Sequence, residues 1–184
     1  MSQIHHECQL ERHIVEQLAA SGWLVGDSTA YDRARASYPE DVTGWLRDSQ
    51  PEGWKKLEAM NGAGTEAAVL DRLVKTLENK DSGTVEVLRR GFAMAGAGTL
   101  AMSQALPEDD RNATVIARYA ANRLRVVRQV HYSVHHENSL DLVLFVNGVT
   151  SVKVRGSIAA DTPSSFRAFM RTAPSAAWDE AQTR

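Results

Sequence analysis

The 184-residue chain has a single cysteine, Cys8. One thiol forms no internal disulfide framework and builds none of the usual structural zinc sets. A reducing compartment is therefore expected. A basic excess is also missing: 21 Lys+Arg face 23 Asp+Glu, for a formal net charge of −2. Any contact with DNA must then be local or borrowed from a partner. Long apolar runs are absent as well. The longest, "LDLVLFVNGV", falls far short of the roughly 20 residues that cross a bilayer as a helix. The opening "MSQIHHECQLERHIVEQL" carries His, Glu and Arg where a secretory signal has an apolar centre. A cytoplasmic protein with no membrane contact is the expectation. There is no internal repeat and no H-E-x-x-H. "GFAMAGAGT" is glycine-rich but lacks the lysine and spacing of a phosphate-binding loop, so no ATP chemistry is expected of these residues.

What is present suits one domain with a sizeable core: 43% hydrophobic and 24% charged residues. "ECQLERHIVEQLAASGWLV" sets Leu10, Ile14 and Leu18 on one helical stripe, with Ser21-Gly22 as its stop. A short extended segment around Trp23, Leu24 and Val25 follows. "SYPEDVTGWLRDS" and "QPEGWKKLEAMNG" each place a proline in the first turn of a helix. In the first, Glu40 and Asp41 favour the positive helix end. In the second, Trp54, Leu57 and Met60 share a face and Asn61-Gly62 ends it. "TEAAVLDRLVKTLENKDSG" sets Leu70, Leu73, Val74 and Leu77 in helical register, and "TVEVLRRGF" adds a short turn. "FAMAGAGTLAMSQALPEDDRN" has no clear period. Then "ARYAANRLRVVRQVHYS" ends in a Val-rich strand, and "SLDLVLFVNG" forms a second strand closed by an Asn147-Gly148 turn. Helices followed by an antiparallel hairpin predict an α/β or α+β fold, with helices packed on a small mixed sheet. From Thr150 the composition turns to Ala, Ser, Thr and Arg with weak periodicity. Residues 1–149 are therefore expected to form the domain, and 150–184 a poorly ordered tail.

Asp141 is the first candidate for chemistry. An acid inside an apolar strand must be paired, protonated or bound to a cation, because burying a bare carboxylate is costly. In metal-dependent nucleases such an acid holds Mg²⁺ beside a second acid and a lysine on the next strand. The plainer reading is a strand residue facing solvent beside a turn. His131, His135, His136 and Glu137 bracket a loop, but neighbouring histidines in extended chain point opposite ways and do not chelate one metal without a turn. They read as loop residues. Arg123, Arg125 and Arg128 sit in or just before a strand and could meet phosphate, although alternating arginines on a sheet are usually solvated.

The segments "NRLRVVRQVHYS" and "NSLDLVLFVNG", with "LERHIVEQLAASGWL", "YDRARASYPEDVTGWL" and "VEVLRRGF", resemble the N-terminal nuclease domain of the restriction (R) subunit of type I restriction–modification enzymes. The resemblance spans about residues 7–149. It implies a PD-(D/E)xK-type core, with Asp141 on the Mg²⁺-binding aspartate and Glu11 on a helical acid that supports the same site. It also implies DNA as substrate, and modification and specificity subunits as partners. An ATP-driven motor belongs only to the full-length subunit.

Beyond Gly148 the likeness stops. The family pattern calls for an apolar-Glu-apolar-Lys strand, and this chain has "VTSVKVRGS". Lys153 and Arg155 alternate in that region, but no acid appears before Asp161, and a cation is no substitute for a carboxylate metal ligand. Lys153 stands near the catalytic lysine's place only by register. Two expectations follow: a truncated, inactive nuclease region whose reading frame changed near codon 149, or a degenerate nuclease fold kept to bind DNA or partner subunits.

Overall fold

The apolar spacing read near the start of the chain forms α1 (Gln3–Ala20), in which Leu18 is buried and Ile14 and Val15 are half-buried. The computed structural model describes residues 3–79, 83–135 and 137–154. Gly22 ends α1 with φ of 86°, and the Trp23 N–H donates back to the Leu18 carbonyl at 3.0 Å. That is a left-handed cap which glycine adopts without steric cost. The chain then extends in β1 (Leu24–Gly26).

Prolines open α2 (Pro39–Ser49) and α3 (Pro51–Asn61), as their spacing predicts. In α3, Trp54 and Leu57 are buried, but Met60 is 61% exposed, contrary to the expected shared face. Its sulfur lies instead against Gly96 in a neighbouring turn. In α4 (Thr65–Leu77), Val69, Leu70 and Leu73 are buried, while Val74 and Leu77 lie at the margin. After α5 (Thr84–Arg90), the segment without a clear period forms a hairpin of β2 (Phe92–Met94) and β3 (Gly98–Leu100). Three-residue strands are too short to show alternation. They hold because Phe92, Leu100 and the following Met102 are buried among α2, α3 and α4. Helix α6 (Ala113–Ala120) was not anticipated either; the Asn112 side chain caps it by accepting from the Thr114 and Val115 N–H groups.

The main sheet adds β4 (Leu124–His131), β5 (Ser139–Val146) and β6 (Val149–Val154). Its order is β1-β4-β5-β6, with β1 parallel to β4 and the other neighbours antiparallel. Helices on a small mixed sheet are what the sequence predicts: an α+β fold. Strand β6 crosses the boundary expected after residue 149, so residues 150–154 extend the sheet. The rest of the expected tail, 155–184, lies outside the described residues. Among the described residues, no helix is long and apolar enough to cross a membrane.

Two buried polar assemblies join the sheet to the helices. Asp41 in α2 is fully buried and receives Arg125 Nε at 2.6 Å and Nη2 at 2.8 Å. The guanidinium also lies 4.3 Å over the Tyr38 ring, and Asp41 raises its pKa further still. The alternating arginines are thus not a solvated stripe: Arg125 is structural. Arg123 pairs with Asp48 at 2.9 Å and stands 3.9 Å from Asp41.

At the β5–β6 turn, Asn147 and Gly148 have φ of 48° and 78°, the positive values that a two-residue hairpin turn of type I′ needs. The turn is not at the surface. Asn147 is fully buried, and its Oδ1 accepts from the Arg123 N–H at 2.6 Å. Its Nδ2 donates to the Met102 carbonyl and to Asn122 Oδ1, both at 2.9 Å. Gly148 is wedged under α2, where an added Cβ would collide with the Tyr38 carbonyl and the Val42 side chain.

Arg125→Met, which leaves the Asp41 carboxylate buried without its partner, is expected to cost roughly 3–5 kcal/mol in urea unfolding. The double variant Asp41→Leu/Arg125→Met should recover most of that loss, since an apolar pair replaces a desolvated ion pair at little net cost. A double variant no more stable than the single one would contradict this account.

Candidate nucleic-acid interface

The expected site residues converge on one stretch of the β4–β5 ladder. Arg128 pairs with Leu142, Val130 with Leu140, and Gln129 and Asp141 occupy the step between. Strand alternation breaks at that step. Val127 and Val130, three apart, join the same cluster around Tyr31 and Tyr38. Leu140 belongs to that cluster too, whereas Leu142, two apart, packs with Leu18 and Trp23 beneath α1. The cause is local: Gln129 holds φ of 49° inside the strand. A left-handed backbone at a side chain of this size costs about 1–3 kcal/mol, and such costs gather at sites where geometry serves a function.

Around this step the polar side chains interlock. Gln129 Nε2 donates to Asp141 Oδ1 at 3.4 Å, and the Ser139 hydroxyl donates to Gln129 Oε1 at 3.1 Å. Asp141 is half-buried and has a further partner besides Gln129. Glu11, on α1, is buried at 7% exposure, and its Oε2 receives Arg128 Nη2 at 3.2 Å. The helix acid and the strand acid therefore meet neighbouring residues of β4, each with its own partner. Beyond the turn, β6 carries an extra residue against β5, where the register shifts between Leu144 and Phe145. This sets Lys153 opposite Val143, two residues along β5 from Asp141. Arg155 and Asp161 lie outside the described residues.

Of the histidines read as loop residues, His135 lies in the turn and His131 does not. His131 ends β4, with Nδ1 3.0 Å from the Glu137 carbonyl and 3.4 Å from its carboxylate, and His135 is exposed in the turn; His136 is outside the described residues. Glu137 also pairs with Arg33 at 3.3 Å. No group of three or more His, Cys, Asp or Glu able to hold a metal ion occurs among the described residues. A Mg²⁺ ion at this step would find one strand carboxylate, Asp141, and would need water and substrate oxygens to complete its shell; Glu11 is already matched to a guanidinium. Arg128 and Gln129 are the residues that sequence reasoning undervalued. Nothing in the local pattern marks Gln129 as left-handed, and the pairing of Arg128 with Glu11 spans 117 positions.

No family model, curated protein or solved structure matches the chain.

One carboxylate with water and phosphate ligands is a weak Mg²⁺ site. Titration calorimetry with Mn²⁺ is expected to give a dissociation constant of about a millimolar or weaker. Micromolar binding lost in Asp141→Ala would show a complete metal site.

Proposed function

We propose that this chain is a DNA-binding domain with the nuclease fold of type I restriction R subunits, and that its cleavage site is incomplete. The observation that carries the reading is the sheet register. Asp141 stands on β5, an acid-bearing helix, α1, reaches the same ladder where Glu11 meets Arg128, and β6 beside it carries Lys153 opposite Val143. A strand acid, a helix acid near the same ladder and a lysine on the next strand are the residue types of a metal-assisted phosphodiester site. The missing member is the second acid, since "VTSVKV" supplies none. Without it, a Mg²⁺ ion at Asp141 would have too few fixed ligands to set a water in line with a phosphate. In the full-length relatives implied by the resemblance, the motor and the modification and specificity subunits supply ATP chemistry and site choice. None of that is assigned to these residues.

A second reading is favoured by one feature. Strand β1 is at the sheet edge, and Leu24 and Val25 on it are 44% and 56% exposed. An apolar edge suits a partner protein that adds a strand. It makes the domain a docking module, with the modification and specificity subunits as the candidate partners.

A Mg²⁺-dependent plasmid-nicking assay and a duplex-binding titration separate these outcomes. Salt-dependent binding without nicking is expected. Nicking abolished by Asp141→Ala would mean the site is complete after all, and no affinity for duplex at low salt would leave the docking reading.

A further inference from the structure

Three arginines enter or precede β4, and their donors are used very differently. Arg125 is consumed, with Nε and Nη2 both on Asp41 and the guanidinium face on Tyr38. Arg123 is shared between Asp48 and Asp41. Among the described residues Arg128 gives Nη2 to Glu11 alone, and its side chain stays 39% exposed. Its Nε is buried and has no hydrogen-bond acceptor. A buried N–H without an acceptor costs about 1–3 kcal/mol, so the guanidinium is held here at a cost.

Glu11 explains how it is held. A carboxylate with its side chain at 10% exposure needs a cation, and Arg128 is the cation it has. The pair fixes one edge of the guanidinium against α1, while the side chain as a whole keeps 39% exposure. Gln129 in turn ties up an Asp141 oxygen that would repel an anion. A planar cation oriented by a buried acid, with N–H donors to spare, suits a tetrahedral oxyanion.

We propose that Arg128 is the anion receptor of this site, taking a phosphate oxygen of a nucleic-acid backbone, and that Glu11 is a positioning residue for Arg128. This deepens the DNA-binding reading, and the backbone identity of the phosphate rests on it; the anion site itself does not.

The test uses the full chain. Slow exchange of the buried Nε–H should give Arg128 its own nitrogen–proton NMR signal, assigned by its loss in Arg128→Gln. Inorganic phosphate is expected to shift that signal saturably, with the Arg125 signal unmoved. For duplex DNA, Arg128→Gln should lower the slope of log affinity against log salt by about 1. Arg128→Lys should keep the slope, with weaker affinity. An Arg128 signal indifferent to phosphate, with an unchanged slope in Arg128→Gln, overturns the proposal even if the chain binds DNA. A phosphate-responsive Arg128 on a chain that does not bind DNA keeps the anion site and removes the DNA reading. The phosphate titration itself uses the unsubstituted protein, and Arg128→Lys, which also lacks the guanidinium, assigns the signal if Arg128→Gln folds poorly.

Discussion

A carboxylate with no access to water, Asp41, sets much of the arrangement around it. Its charge is tolerable only because Arg125 meets it with two short hydrogen bonds while stacked on Tyr38. To satisfy that demand, the N-terminal turn of α2 must sit over β4. Once α2 is there, Gly148 fits beneath it, where no side chain would. The Asn147 amide can then reach the Arg123 N–H and the Met102 carbonyl and pull the 101–104 segment against the sheet. Buried polar links of this kind add little net stability over an apolar core, but breaking one leaves a stranded charge or amide, which makes one packing far better than its neighbours.

The other face of the sheet is closed differently. There α1 packs Leu18 and half-buried Ile14 and Val15 onto Leu142, Leu144 and Val146. One ion pair, Glu11–Arg128, ties the same helix to β4 next to the polar step at Gln129 and Asp141. The two arginines of β4 are thus used differently: Arg125 is spent inside, and Arg128 stays partly exposed at the rim. The two positions differ by three residues, and in a regular strand they would face opposite sides. Contacts to α2 for one and α1 for the other agree with that.

Much of the framework was legible. Proline in the first turn of α2 and α3, the Gly22 stop and the Asn147-Gly148 turn are local devices whose backbone demands a few residues meet by themselves. Strands β4 and β5 stood out because their apolar content is dense over eight residues each. The β2–β3 hairpin and α6 were not legible, since three-residue strands carry no period and α6 buries no residue fully. Met60 misled because its helical spacing is right while the surface it meets is a hairpin turn. Strand β6 runs past the boundary that composition suggests at residue 149, because the backbone of an edge strand pairs with β5 whatever the composition that follows.

The sequence alone determined which segments are helical or extended, where tight turns fall, and that Asp141 and Glu11 are the acids to consider, the last through resemblance. Those properties depend on residues within a turn or two of each other. Tertiary structure decided the partners: Asp41 with Arg125, Asn147 with Met102, Glu11 with Arg128, and Gln129 with Asp141. Each pairing except the last spans dozens of positions or more. Gln129 and Asp141 are close in sequence, but their contact requires a left-handed strand residue. That is stable only where packing on both sides of the strand over-determines it.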